Sequence, residues 1–254
     1  EGYKKKVLYL HSKNTRLSLA EASTNFYKLR PKNLVAITGT NGKSSIANFY
    51  YQILRLNNIN SSTIGTLGIN SKPIMLKTNN TTLDPISLNQ ALFKLKKSKI
   101  ENVILEASSH GLDQNRLDGL KFDIGIFSNF SRDHLDYHKS YKNYLNSKLI
   151  LFKRLLKKRG LIIFDNDVPE SEILKKIIKK YKYNFLCIGK KSDLILNRHQ
   201  YLKDYQKIDF IFKKKTYSFN TKLIGKIQLK NLLMAVLAAS KFIKIKKIVK
   251  SLHK

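Results

Sequence analysis

Apolar residues along this chain alternate between two rhythms. Short unbroken runs, Leu34-Val35-Ala36-Ile37, Asn102–Glu106 (NVILE), Phe122–Phe127 (FDIGIF) and Leu161–Phe164 (LIIF), have the continuity of strands buried on both faces. Between them apolar residues recur at helical spacing, first as Ile46, Phe49, Tyr50, Ile53 and Leu54. The pattern predicts strands at 34–38, 62–69, 102–106, 122–127, 161–164 and 184–188. It predicts helices at 44–57, 86–98, 139–158, 169–181 and 228–243, with a short helix to close. Runs 207–213 and 216–220 read as an antiparallel pair. Upstream stand a strand-like run, Val7–Leu10, and a helical stretch, Leu17–Tyr27, ending before Arg30-Pro31. Repeated strand–helix alternation predicts an α/β fold with a doubly wound, mostly parallel sheet.

In such sheets ligands sit at the carboxyl ends of the strands, and polar residues cluster at three of those ends. The first cluster is Thr38-Gly39-Thr40-Asn41-Gly42-Lys43-Ser44-Ser45, between the first strand and the first helix. Glycines let a backbone turn its N–H groups on an anion, and a new helix adds free N–H groups and a positive dipole end. Lys43 is placed to reach terminal phosphates and the Ser44 hydroxyl to ligate Mg²⁺. The usual phosphate-loop pattern has four residues between its glycines, whereas only Thr40 and Asn41 separate Gly39 from Gly42. An ordinary glycine turn is therefore the competing reading. The second cluster, Glu106 to Arg116 (EASSHGLDQNR), starts with a carboxylate at a strand tip, suited to a hard cation. The third, Asn129 to His138 (NFSRDHLDYH), places two histidines and two aspartates within a few residues of a strand end.

Length allows one or two domains. A formal charge of +32 first suggests a nucleic-acid partner. The basic residues are mostly lysines, however, scattered rather than clustered, as in a chain of biased composition, so nucleic acid is not the expected ligand. The runs 175–182 and 213–215 read as solvated faces. One cysteine, Cys187, in an apolar run fits core packing and a reducing cytoplasm. No apolar run approaches the ~18 residues of a membrane span. A first residue Glu1 and a Lys-rich helical ending point to a segment of a longer protein.

With the three clusters in this order, the chain closely resembles the Mur ligases of cell-wall synthesis, and among them the branch that adds the third peptide residue. The segments that carry the resemblance are TGTNGKSS (38–45), NTTLD (80–84), EASSHGLDQNR (106–116), SNFSRDHLDYH (128–138), NSKLILF (146–152) and LIGKIQLKNLL (223–233). The resemblance implies that 1–32 is the end of a uridine-nucleotide domain with its linker. It likewise implies that 33–254 is the central ATP-binding domain and that a C-terminal domain is absent. It implies an ATP-dependent ligase that joins a diamino acid, diaminopimelate first and lysine second, to UDP-MurNAc-L-Ala-D-Glu through an acyl phosphate. Gly39, Thr40, Asn41, Gly42, Lys43, Ser44 and Ser45 would hold ATP phosphates, and Asn231 the base. Ser44, Glu106, His134 and Lys148 would serve Mg²⁺. Lys43, His134 and Lys148 are the implied catalytic residues, with Lys148 carbamylated by CO₂. Asn80, Thr81, Thr82, Ser108, Gln114 and Arg116 would bind the sugar-peptide. Ser45 stands where the family usually has Thr, and Gln228 departs from its base-site pattern. Two alternatives stay open: a folylpolyglutamate synthase-type ligase, which shares the short GTNGK loop, and a basic phosphate-loop protein that binds nucleic acid.

Overall fold

A computed structural model describes residues 11–72 and 75–252; the strand expected at Val7–Leu10 lies outside the described residues. The elements in order are α1 (Thr15–Phe26), β1 (Asn33–Thr38), α2 (Lys43–Leu56), β2 (Ser61–Gly65), β3 (Gly68–Asn70), β4 (Met75–Leu76) and α3 (Pro85–Lys97). Next come β5 (Asn102–Glu106), α4 (Ser109–Asp113), β6 (Phe122–Phe127), α5 (Leu135–His138) and α6 (Tyr141–Ile150). A π-helical turn (Leu151–Leu155) then leads to β7 (Leu156–Asp165), α7 (Ser171–Tyr181), β8 (Asn184–Ile188), β9 (Leu194–Tyr201), β10 (Gln206–Phe212), β11 (Lys215–Thr221), α8 (Lys226–Ala239) and α9 (Ile245–Leu252).

Among the described residues all strands join one sheet in the order β11-β10-β9-β8-β7-β6-β1-β5-β2-β3-β4. Its middle, from β8 to β2, is parallel. Antiparallel hairpins extend both edges. Period-2 alternation of the pleat divides each central strand between two cores. Val35, Ile37, Ile104, Ile124 and Ile126 pack with α2, α8 and α9. Leu34, Ala36, Val103, Leu105 and Phe127 pack on the other face with α3, α6 and α7. Burial on both faces explains the continuous apolar runs. Lysines of α7 point outward while Leu174, Ile177 and Ile178 point in, and Cys187 is buried.

Three expectations needed correction. The run 62–69 is a hairpin, not one strand. β2 and β3 pair antiparallel through Gly65↔Gly68, and Leu67 at the tip is 75% exposed. Gly68 takes φ +90, so the chain reverses where apolar content alone reads as continuation. The expected helix 139–158 is broken. The Ser140 hydroxyl accepts the Asn143 N–H at 3.1 Å and starts α6 afresh. From Leu156 the chain is strand, because Leu156 pairs with Phe122 of β6. β9 was not expected: its sequence, LILNRHQY, alternates weakly and becomes a strand through its ladder with β10.

Candidate functional site

The helices that follow β1 and β5 leave to opposite faces of the sheet: α2 packs in one core, and Leu112 of α4 in the other. That reversal opens a crevice at the carboxyl ends of β1, β5 and β6. Parallel register sets Ile37 beside Glu106 and Thr38 beside Phe127, so all three polar clusters emerge together.

The loop after β1 is held open by its neighbours. Gly39 adopts φ +139, and a Cβ there would overlap Ser128 Oγ. Gly42 adopts φ +84 at the N-cap of α2, with the Asn231 amide against it. The Thr40 N–H donates to Asn129 O and the Asn41 N–H to Asn129 Oδ1, each at 2.9 Å. Ser128 Oγ donates to Asn41 O at 2.6 Å, and Asn129 Nδ2 donates to the same oxygen at 3.0 Å. Both glycine conformations and these clamps suit a backbone cradle for an anion.

Two lysine amines converge on one carbonyl oxygen of that loop. Lys43 Nζ donates to Gly39 O at 3.0 Å and to Thr40 O at 2.8 Å. Lys148 Nζ, on α6, donates to Gly39 O at 2.8 Å and lies 4.3 Å from the centre of the Tyr144 ring. Lys148 is only 1% exposed. Burial, then the Lys43 charge, pushes its pKa down to about 7. Burial also lowers Lys43, against the pull of Glu106 and Asp133. Lys148 is thus an amine that can lose its proton near neutral pH.

A pH dependence follows. Between about 7 and the ordinary 10.5 only the unfolded chain binds the Lys148 proton, so this residue makes stability rise with pH across that window. The penalty for its buried charge is complete below about pH 7 and gone above the ordinary value. Lys148→Met in CO₂-free, metal-free buffer is therefore expected to melt higher than the unsubstituted protein near pH 6. The gap should shrink towards pH 10; a melting-temperature difference that does not change with pH would contradict this account.

Ser44 Oγ donates to Glu106 Oε1 at 2.9 Å, which sets two hard oxygen donors side by side at the start of α2. The chemistry of this pair fits a magnesium ion. Among the described residues no group of three His, Cys, Asp or Glu side chains is placed to hold a metal. A magnesium ion there would complete its shell with water and ligand oxygens. His134, with φ 50, is half-exposed at the mouth, its ring 3.4 Å from Asp133 Oδ2 and packed edge-on to His110. Asn231 is buried on α8 against Gly42, so its contact in the structure is with the loop rather than with an open base pocket.

Four of the residues expected to hold a sugar-peptide, Thr82, Ser108, Gln114 and Arg116, form one network. Thr82 Oγ1 donates to Glu106 O at 2.8 Å and accepts the Ser108 N–H at 2.9 Å. Ser108 caps α4, accepting the Gly111 N–H at 3.0 Å. Arg116 donates to Thr82 O at 2.7 Å and, from Nε and Nη2, to Gln114 Oε1 at 3.1 and 2.7 Å. Its planar fork is already presented in the bidentate geometry that a carboxylate would take over from Gln114. Asn80 is exposed on the same loop. Ser45 sits in the first turn of α2, next to the Ser44–Glu106 pair.

Four residues outside the expected set also shape the site: Thr66, Ser128, Asn129 and Tyr144. Tyr144 lies one helical turn before Lys148, with its hydroxyl 3.2 Å from Thr40 Oγ1. Its spacing from Lys148 was the one available signal. Thr66 lies inside the run read as a continuous strand and had none.

Comparison with known proteins now bears on this geometry. The Mur ligase middle domain family matches residues 37–239. A UDP-N-acetylmuramoyl-L-alanyl-D-glutamate–2,6-diaminopimelate ligase of Rickettsia montanensis is 41% identical over 242 residues, covering 92% of this chain and 49% of its own length. The chain therefore spans about half the length of the curated relatives it matches. A solved structure of a 2,6-diaminopimelate ligase superposes with a TM-score of 0.86 at 25% identity, over 96% of this chain and 51% of that one. A MurF ligase from Thermotoga maritima, solved with ADP, has a TM-score of 0.70 at 16% identity over 97% of this chain and 55% of its own, a likeness of fold.

Proposed function

This chain belongs to the Mur ligase family, and on that footing we propose that it is the ATP-handling centre of a ligase that joins 2,6-diaminopimelate to UDP-MurNAc-L-Ala-D-Glu. Residues 1–32 are then the end of the uridine-nucleotide domain, and 33–254 the central domain. One observation carries the reading: Lys43 and Lys148 meet at Gly39 O beside the Ser44–Glu106 pair. An anion cradle, a cation donor pair and a deprotonatable amine in one crevice would serve that chemistry. The printed names of the relatives favour diaminopimelate over lysine.

In this reading Gly39 to Ser45 hold the ATP phosphates, with the N–H groups of Gly42 to Ser45 facing them and those of Thr40 and Asn41 tied to Asn129. Lys43 exchanges its two carbonyl partners for the terminal phosphate and stabilises the charge that spreads over it during transfer. The D-Glu carboxylate attacks the γ-phosphorus and ADP leaves. The amine of the diamino acid then attacks the acyl carbon; phosphate leaves, the amide forms and the amine loses a proton. Arg116 and Thr82 orient the sugar-peptide. Mg²⁺, held by Ser44 and Glu106 with His134 toward a second ion, would neutralise phosphate charge. Lys148, adding to CO₂ with loss of a proton, would turn from a repelling cation into an anionic oxygen ligand. The proposed compartment is the cytoplasm; among the described residues no helix is long and apolar enough to cross a membrane.

The test is phosphate release from ATP by the intact protein, given Mg²⁺, UDP-MurNAc-L-Ala-D-Glu and either diaminopimelate or lysine. Release that requires the sugar-peptide and diaminopimelate is expected. Release with a folate substrate instead would overturn the substrate, and failure to bind ATP would overturn the reading of residues 38–45.

A further inference from the structure

The tip of the β2–β3 hairpin touches both halves of the crevice. Its Thr66 N–H donates to Glu106 Oε1 at 3.1 Å, and its hydroxyl lies 3.2 Å from Oε2. The same hydroxyl oxygen is 3.0 Å from Thr81 Oγ1. The Thr66 hydroxyl donates its one proton to Glu106 Oε2, so the Thr81 hydroxyl donates to Thr66. The result is a one-way chain, Thr81 to Thr66 to Glu106, whose members polarise one another. Two further bonds hold the backbone around it. Thr78 Oγ1 donates to Gly65 O at 3.0 Å, and Thr82 Oγ1 donates to the Glu106 main-chain oxygen at 2.8 Å. Gly65 is held to glycine here, since a Cβ would overlap the Glu106 carboxylate.

Resting on the function proposed above, we infer that Thr66 is a positioning residue that couples the Asn80–Thr82 loop to Glu106. Occupancy of that loop by the sugar-peptide thereby tightens binding of the magnesium nucleotide, and the reverse. The physical reason is that Glu106 has one carboxylate to aim. A ligand that fixes Thr81 fixes the donor behind Thr66, and through it the orientation in which Glu106 meets a cation with Ser44. Linkage makes the effect reciprocal, and a coupling carried by one such chain amounts to about 5-fold in affinity or more. Thr66 is itself solvent-exposed, so its hydroxyl is not needed to satisfy a buried core.

The experiment is calorimetric titration of the intact protein with a magnesium-bound, non-hydrolysable ATP analogue, with and without UDP-MurNAc-L-Ala-D-Glu. Unsubstituted protein is expected to bind the analogue about 5-fold tighter or more with the sugar-peptide present. Thr66→Val should bring the ratio close to one with an unchanged melting temperature, and Thr66→Ser, which keeps the hydroxyl, should restore it. A Thr66→Val protein that keeps the full ratio overturns the coupling, as does a ratio of one in the unsubstituted protein. Failure of the unsubstituted protein to bind the analogue at all would instead overturn the proposed function.

Discussion

Replacing Lys43 with alanine in the intact protein is expected to lower sugar-peptide-dependent phosphate release by about 10³-fold or more, the scale by which a cationic side chain speeds phosphoryl transfer. The fold should survive. The loop is clamped by Ser128 and Asn129, and Lys43 contributes only donor bonds to Gly39 O and Thr40 O. Gly39 O keeps the Lys148 amine as a donor when the Lys43 side chain is cut back. Melting temperature should therefore move little while the rate collapses. Turnover near that of the unsubstituted protein would remove Lys43 from the phosphate site, and with it the reading of the loop.

Lys148→Ala is expected to cost a comparable factor, on the order of 10³, but with a different signature. The side chain runs through a buried channel from α6 to Gly39 O, across the Tyr144 ring. Truncation vacates that channel. If the working form is an anionic carbamate, a short carboxylate such as formate can take its place, and activity should recover in part. Lys43→Ala should not respond, because what it lacks is a cation. Depleting CO₂ should reproduce the Lys148 defect in the unsubstituted protein. Loss of activity without rescue, and indifference to CO₂, would mean that Lys148 acts as an amine.

Much of the fold was readable from the pattern of residues because the physics there is local or repetitive. β1, β5 and β6 are buried on both faces, so their apolar runs are unbroken and stop abruptly at polar residues. The loop after β1 carries glycines at the two positions with positive φ. Where the reading failed, a non-local partner decided the outcome. The pairing of Leu156 with Phe122 ended an expected helix, β10 made a strand of 194–201, and the reversal at Gly65–Gly68 turned a run into a hairpin.

The candidate site divides in the same way. Lys43, Ser44, Glu106 and Lys148 were each legible from motif and resemblance, since their chemical types and order along the chain are what the sequence records. That Lys43 and Lys148 share one carbonyl oxygen, that burial brings Lys148 to about 7, and that Thr66 stands between Thr81 and Glu106 were not legible. Those facts depend on β5 lying beside β1 in one register and on α6 returning across the crevice. The sequence by itself determined which groups are present and which strands end in them. Tertiary structure alone decided their distances, their desolvation and their partners, because electrostatics and hydrogen bonding act through space between residues far apart in the chain.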